Sequence, residues 1–114
     1  MLLHVVPLAD WSAAPEAPDA PYAPPSLAAE GFVHCSADEA SALAVADARY
    51  RAVPGPLLVL VIDEARLGGE VRWEGSGDVL FPHVYGPVER AAVTSVLEVR
   101  RDTDGRAREL RPRA

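Results

Sequence analysis

The longest uninterrupted apolar segment of the chain is Leu57–Ile62, with the sequence LLVLVI. Side chains of a strand alternate between its two faces, so an apolar residue at every position is typical of a strand covered on both faces. Pro54-Gly55-Pro56 precedes the segment and is typical of a break in the chain. The pattern therefore predicts a central strand over residues 57–62.

Alternation and helical spacing predict the elements around this strand. Residues 38–52 carry apolar side chains at helical spacing and predict the main helix, and residues 8–14 predict a shorter helical turn. Residues 13–25 are rich in proline, which lacks the amide hydrogen that helices and strands need, and so predict a loop. Residues 102–105, with the sequence DTDG, predict a hairpin turn into a short, arginine-rich last strand. Other strands are predicted at residues 1–6, 32–35, 70–74, 80–85 and 92–100. We expect an α+β fold, a mixed sheet with one main helix, in one domain over residues 1–114.

Composition restricts the classes of partner and compartment. The chain has 114 residues, with 17 acidic and 11 basic side chains and a formal net charge of -6. This charge does not favour DNA as a partner. The one cysteine cannot form a disulfide within the chain, and no apolar segment is long enough to span a membrane. We expect a soluble, cytoplasmic protein that does not contact membranes.

The sequence GFVHCS, residues 31–36, places His34, Cys35 and Ser36 side by side. Strand alternation puts His34 and Cys35 on opposite faces, so the two cannot form a nucleophile and base pair. Cys35 is interpreted as a small buried residue. Ser36 begins the pattern S-x-x-E with Glu39, which predicts a capping box for the following helix. His34, at the carboxyl end of a strand, is a candidate for ligand contact.

The sequence FPHVYGP, residues 81–87, places a second histidine between two aromatic residues. Phe81, His83 and Tyr85 are spaced two apart and project to the same side of an extended segment. Two aromatic side chains that flank a histidine can stack on a planar ring, or they can anchor the segment to the core. Because two short segments each carry a histidine with such neighbours, we expect His34 and His83 to share one cleft.

These motifs, together with HVVP near the start, LLVLVIDEARL and VRWE, resemble the domain-of-unknown-function 952 family over nearly the whole chain. The resemblance implies an ADP-ribosyltransferase-like fold, in which a split, mainly antiparallel sheet encloses NAD. It implies an NAD-type cleft lined by His34, Ser36, His83 and Tyr85, with His4 on the first strand against the ribose. The implied reaction is ADP-ribosyl transfer or NAD-dependent phosphoryl transfer.

The catalytic set predicted for such a reaction is His34, His83 and Glu74. ADP-ribosyl transfer needs a carboxylate to stabilise the developing oxocarbenium ion, and Glu74 of VRWE is the best candidate. Alternation puts Trp73 on the other face, so a Trp73 directed to the core would leave Glu74 in solvent.

Three other interpretations remain open. A phosphotransferase would need several cationic side chains, but the arginines cluster near the carboxyl end, where they are typical of an exposed hairpin. A metal site of His4, His34 and His83 matches no compact ligand spacing. A non-catalytic module that senses a nucleotide, or that mediates an interaction, needs no carboxylate. The expected partner is a small nucleotide-like ligand, and an RNA end is compatible with the phosphotransferase.

Overall fold

The structure is a computed structural model and describes residues 1–12 and 21–113. Two turns of 3-10 helix lie at Glu64–Arg66 and Arg90–Ala92. The other elements, in chain order, are β1 (Leu2–Pro7), α1 (Leu8–Ser12), α2 (Pro25–Glu30), β2 (Val33–His34), α3 (Glu39–Tyr50), β3 (Leu57–Ile62), β4 (Glu70–Ser76), β5 (Val79–Tyr85), β6 (Val93–Arg101) and β7 (Ala107–Pro112).

The strands form two separate antiparallel sheets. The four-stranded sheet has the order β1-β3-β6-β7, and the three-stranded sheet has the order β2-β5-β4. Leu3 and Ser36 form an isolated antiparallel bridge, which joins β1 to the chain just beyond β2. The two sheets therefore meet where β2 ends.

The central position of β3 follows from its composition. It pairs with β1 on one side and β6 on the other. Leu58, Leu60 and Ile62 join one apolar core with Val33 and Val84 of the three-stranded sheet. The opposite face of β3 carries Leu57 and Val59, which belong to a second core with Ala42 and Ala46 of α3. Apolar side chains on both faces of one strand thus allow a helix to cover one side of the sheet and the smaller sheet to cover the other.

The capping box predicted at Ser36 is wrong. The residue that caps α3 is Asp38, whose carboxylate accepts a hydrogen bond of 2.8 Å from the backbone amide of Ser41. Ser36 is instead buried in the bridge to Leu3, where its backbone amide and carbonyl both pair with that residue. A serine whose backbone already pairs with a strand cannot also adopt the position that opens the helix.

Helix α2 was not predicted from the sequence. It begins at Pro25, a residue favoured in the first helical turn because its missing amide hydrogen has no helical partner there. It ends at Gly31, which adopts φ 86° and closes the helix by donating its amide to Leu27. Both signals were present in the sequence. The short helix brings Glu30 to within one turn of His34.

The expectation of an α+β fold with one main helix is confirmed, since α3 is the longest helix described. The expectation of a mixed sheet is wrong for the described strands, because every pairing between them is antiparallel. The predicted strand over residues 57–62 is confirmed, and the other predicted strands are found with small shifts at their ends. Residues 13–20, most of the predicted proline-rich loop and the end of the predicted turn at 8–14, lie outside the described residues. Among the helices of the described part of the chain, none is long and apolar enough to cross a bilayer.

Candidate functional site

The two predicted site histidines lie directly opposite each other on neighbouring strands. His34 of β2 and His83 of β5 are partners in the antiparallel register. Their ring centroids are 5.2 Å apart, and the ring planes are inclined by 78°. Because Val33 and Val84 point into the core from the same two strands, both histidines project from the opposite face of the sheet.

Phe32 holds the two rings in place. Its ring stacks on that of His83, with centroids 4.0 Å apart and planes inclined by 19°. It also meets the His34 ring edge to face, at a centroid distance of 4.7 Å. Contact with both histidines restricts their rotation, so Phe32 is a positioning residue that the sequence analysis did not single out for the site.

Glu74 connects His83 to Tyr85. The Nδ1 atom of His83 lies 3.0 Å from Oε1 of Glu74, and the hydroxyl of Tyr85 donates a hydrogen bond to the same oxygen. The bond from Tyr85, and next the bond from His83, lower the pKa of the Glu74 carboxyl below its ordinary value. The same bond raises the pKa of the Tyr85 phenol. Glu74 is therefore a carboxylate and Tyr85 a neutral phenol at neutral pH.

Alternation left open whether Glu74 faces the candidate site or only solvent, and the orientation of β4 answers this question. Trp73 lies on the opposite face from Glu74, the face from which Val71 packs against the core, and is 48% exposed. Glu74 thus shares a face with His83 and Tyr85, and its side chain is 40% exposed. It is accessible to a ligand and held by protein groups at the same time.

A cation extends this network along the same face. The guanidinium of Arg72 lies over the ring of Tyr85, 4.5 Å from its centroid. Arg72 also donates a hydrogen bond of 3.0 Å to Glu70. The Tyr85 side chain is therefore held at two points: Glu74 binds its hydroxyl, and Arg72 contacts the face of its ring.

His34 has a carboxylate partner of its own. Its Nε2 atom lies 2.6 Å from Oε2 of Glu30, the last residue of α2. This hydrogen bond lowers the pKa of the Glu30 carboxyl. A carboxylate only accepts hydrogen bonds, so Nε2 of His34 and Nδ1 of His83 carry the protons that they share with Glu30 and Glu74.

The histidine groove is a cavity of about 220 Å³ beside this face. Its apolar wall includes Val45 of α3, and Arg49 of the same helix contributes a positive charge. The full lining is His34, Cys35, Val45, Arg49, Glu74, Gly75, Phe81 and His83.

A second cavity, the His4 cavity, shares part of this wall. Its volume is about 230 Å³. The residues common to both are His34, Cys35, Val45 and Arg49. The others are His4, Val5, Val6, Pro7, Asp10, Tyr22, Pro24, Pro25, Ser26, Ser36 and Tyr50.

His4 itself is buried and has both ring nitrogens occupied. Its Nδ1 donates to the backbone carbonyl of His34 at 2.5 Å, and its Nε2 lies 3.0 Å from the hydroxyl of Tyr22. A carbonyl only accepts, so the proton is on Nδ1, and Nε2 accepts from Tyr22. Burial lowers the pKa of His4 to about 4, so the ring is neutral at neutral pH.

The interpretation of Cys35 as a buried residue is confirmed. The side chain is 4% exposed and belongs to the core that Val33 and Val84 also join. Burial raises the pKa of its thiol to about 12. A thiol of that pKa is not a nucleophile at neutral pH.

The predicted site residues thus fall into two groups. His34, His83, Glu74 and Tyr85 are brought together, and Phe81 lines the same groove. His4 and Ser36 lie in the neighbouring cavity. Their roles in binding or catalysis stay predictions. The residues missed for the site are Glu30, Phe32, Arg49, Arg72 and Tyr22.

Different signals could have identified these residues. Phe32 lies two residues before His34 and so on its face of the strand. Glu30 could have been identified only by predicting α2, the short helix that ends at Gly31.

No group of three or more histidine, cysteine, aspartate or glutamate side chains suited to a metal ion occurs within residues 1–12 and 21–113.

The fold and the groove define an α+β protein in which a small antiparallel sheet carries a paired-histidine site. A family model described as "Protein of unknown function (DUF952)" matches residues 5–96, and the chain belongs to this family, as the sequence resemblance predicted. The crystal structure of protein CC0527 from Caulobacter crescentus is similar, with 28% identity and a TM-score of 0.78, and the match covers 94% of this chain and 92% of that chain. A double mutant of CC0527 matches equally well. No curated protein matches the chain.

Proposed function

We propose that the histidine groove and the His4 cavity together bind a nucleotide of the NAD type, and that the groove supports ADP-ribosyl transfer. This function agrees with the ADP-ribosyltransferase-like fold that the family resemblance implies. The observation that carries the proposal is the position of Glu74, which lines the groove with His83 and is held there by hydrogen bonds from His83 and Tyr85.

Glu74 has the properties that the transfer requires. The bond between the ribose C1′ atom and the nicotinamide nitrogen breaks with its electron pair on nicotinamide, and the sugar becomes an oxocarbenium ion. A fixed carboxylate stabilises this positive charge without reorganising during the reaction. The bonds from Tyr85 and His83 keep Glu74 ionised, and its exposed side chain can approach the sugar.

The two cavities suit a ligand with two lobes joined by phosphates. At about 220 and 230 Å³, each is smaller than a usual ligand pocket, but they share a wall and adjoin. Arg49 lines both, so its guanidinium is placed to bind a phosphate group between the lobes. Phe81 in one cavity and Tyr50 in the other offer aromatic surfaces for flat rings.

His34 is assigned the role of the general base that activates the acceptor. One nitrogen of its ring is held by Glu30, and the other can take the proton that the acceptor loses as its oxygen or nitrogen bonds to C1′. His83 orients Glu74 rather than reacting in this scheme.

A non-catalytic nucleotide sensor is the second candidate. The observation that favours it is that Glu30 and Glu74 already accept hydrogen bonds from the two histidines. A groove whose acidic groups are all engaged can bind a ligand without changing it.

Calorimetric titration with NAD, ADP-ribose and a 2′-phosphorylated RNA end tests binding. We expect NAD or ADP-ribose to bind the wild-type protein, and the His34→Ala/His83→Ala double variant to lose that binding. Glu109→Gln is the matched control, because Glu109 accepts hydrogen bonds from Arg100 and Arg111 on the far sheet. The control should bind as the wild type does.

Mass spectrometry of NAD incubated with the protein separates the two candidates. Release of nicotinamide that is lost in Glu74→Gln supports the transferase. Binding without release supports the sensor. If none of the three compounds binds, or if the double variant binds as tightly as the wild type, the proposed function is wrong. Binding of the RNA end alone would assign the groove to phosphoryl transfer instead.

A further inference from the structure

We propose that His34 and His83 also form a general acid and base pair that hydrolyses a phosphodiester with water, and that the substrate class is a nucleoside cyclic phosphate. The proposal goes beyond ADP-ribosyl transfer. It needs the groove to accept a phosphate-bearing ligand, but it needs neither NAD nor the stabilisation of a sugar cation.

The first argument is the symmetry of the two histidines. Each has one ring nitrogen bound to a carboxylate, His34 at Nε2 and His83 at Nδ1. No hydrogen bond within the described part of the chain involves the other nitrogen of either ring. A carboxylate on one nitrogen fixes the orientation and tautomer of a histidine and leaves the other nitrogen to exchange a proton, which is the arrangement used by acid and base histidines.

The second argument is their separation. The ring centroids are 5.2 Å apart, and both side chains line the histidine groove. Rings at this separation are in edge contact, so a phosphate group binds across their groove-facing edges and not between them. In that position it could bring its attacked and leaving sides within proton-transfer distance of one histidine each, about 2.6 to 3.2 Å. Phe32 contacts both rings and so preserves this separation.

The third argument is charge. Glu74 and Arg49 line the groove with the two histidines, and the second carboxylate, Glu30, binds His34. When one histidine is protonated to act as the acid, the two positive charges of Arg49 and the histidinium balance the two negative charges of Glu30 and Glu74. A phosphodiester carries one negative charge and can be held by Arg49 and the histidinium, whereas a phosphate monoester carries a second negative charge that Glu30 and Glu74 would repel.

The reaction uses water alone as its second reactant. One histidine takes a proton from water as the water oxygen bonds to phosphorus. The bond from phosphorus to the ribose oxygen breaks with its electron pair on oxygen, and the protonated histidine donates its proton there. A cyclic phosphate becomes a monoester in this step, and the two histidines exchange their protonation states.

The assay is ³¹P nuclear magnetic resonance of the full chain with a nucleoside 2′,3′-cyclic phosphate and a nucleoside 3′,5′-cyclic phosphate, without NAD. We expect one or both to be converted to the monoester, with one ¹⁸O atom incorporated from labelled water. The monoester 4-nitrophenyl phosphate should not be hydrolysed. Absence of turnover with both cyclic phosphates would overturn the proposal.

Variants assign the reaction to the histidine pair. His34→Asn and His83→Asn should each lower kcat/KM by about a hundredfold or more. Glu30→Gln, at a half-exposed position where folding should be unaffected, should lower kcat and shift the pH profile, while Glu109→Gln should change neither. Turnover that falls less than tenfold in both histidine variants would contradict the assignment.

Two outcomes distinguish this proposal from the proposed function. Hydrolysis of a cyclic phosphate by a protein that does not bind NAD would support the present inference alone. Binding or cleavage of NAD with no hydrolysis of either cyclic phosphate would leave the proposed function standing and refute this one.

Discussion

The two sheets of this protein divide stability and chemistry between them. In the four-stranded sheet, the central strand β3 has five of its six residues fully buried, and its side chains are apolar on both faces. In the three-stranded sheet, β5 alternates between Val84, which is fully buried, and His83 and Tyr85, which are partly accessible. One sheet is covered on both faces and the other on one.

This difference has a physical cause. The three-stranded sheet places its apolar face against the core, so it is held in position by burial, and its other face is free to carry polar groups. Those polar groups then bind each other, as the Glu74 and Glu30 hydrogen bonds illustrate. We therefore expect substitutions in β3 to change the free energy of unfolding and substitutions on the polar face of β5 to change ligand binding.

The largest effect is expected for a matched pair of leucines, one in each sheet. Leu60 of β3 is fully buried, and Leu80 of β5 is 52% exposed. Leu60→Ala should lower the free energy of unfolding by about 2 to 5 kcal/mol, because it removes apolar contacts and leaves a cavity. Leu80→Ala should change it by less than about 0.5 kcal/mol. Urea titrations measure both, and equal losses would contradict the division between the sheets.

Acid should destabilise the protein through His4, on the four-stranded sheet. The pKa of His4 is about 4 in the folded state, against 6.5 for an unburied histidine. Between these values the unfolded chain binds a proton that the folded chain does not, so stability is complete above pH 6.5 and falls as the pH falls towards 4. Between pH 6.5 and pH 4, the free energy of unfolding should fall by about 3 kcal/mol through this group.

The variant His4→Gln isolates this contribution, because glutamine can donate to the His34 carbonyl and accept from Tyr22 but does not titrate. The free energy of unfolding, measured in urea at several values between pH 7 and pH 4, should fall less steeply in the variant than in the wild type. Parallel pH profiles would show that His4 is not the group responsible.

A smaller effect is expected where the chain leaves the three-stranded sheet and enters α3. Asp38→Ala removes the side chain that caps the helix and should lower the melting temperature measurably. Ser36→Ala, two residues earlier, should lower it less, because the pairing of Ser36 with Leu3 uses backbone atoms. Thermal unfolding followed by circular dichroism compares the two. A larger loss in Ser36→Ala would restore serine as the cap.

The smallest effect is expected at Cys35, on the core side of the strand that carries His34. Its thiol is buried and has a pKa of about 12. A thiol reagent at neutral pH should therefore react with the native protein far more slowly than with the urea-unfolded protein. Absorbance of the released chromophore measures both rates. Similar rates would place Cys35 in the accessible part of the groove.

Local pattern was sufficient for most of the fold. The run of apolar residues in β3 indicated its central position, because a strand with two apolar faces must be covered twice. A spacing of two residues put Phe81, His83 and Tyr85 on one face of their strand. The same spacing put Cys35 on the face of Val33 and indicated that Cys35 is buried in the core. Helix α2 was not predicted, because a helix of six residues with no buried side chain gives no helical spacing of apolar residues.

The sequence by itself determined which residues share a face, since alternation along a strand is a property of the local backbone. Only the tertiary structure decided which faces meet. The register of β2 against β5 set His34 opposite His83, and the register of β4 against β5 put Glu74 on the face that carries Phe81 and His83. Contacts between residues far apart in sequence depend on how the strands pair and how the two sheets pack, and no local pattern in the chain specifies either.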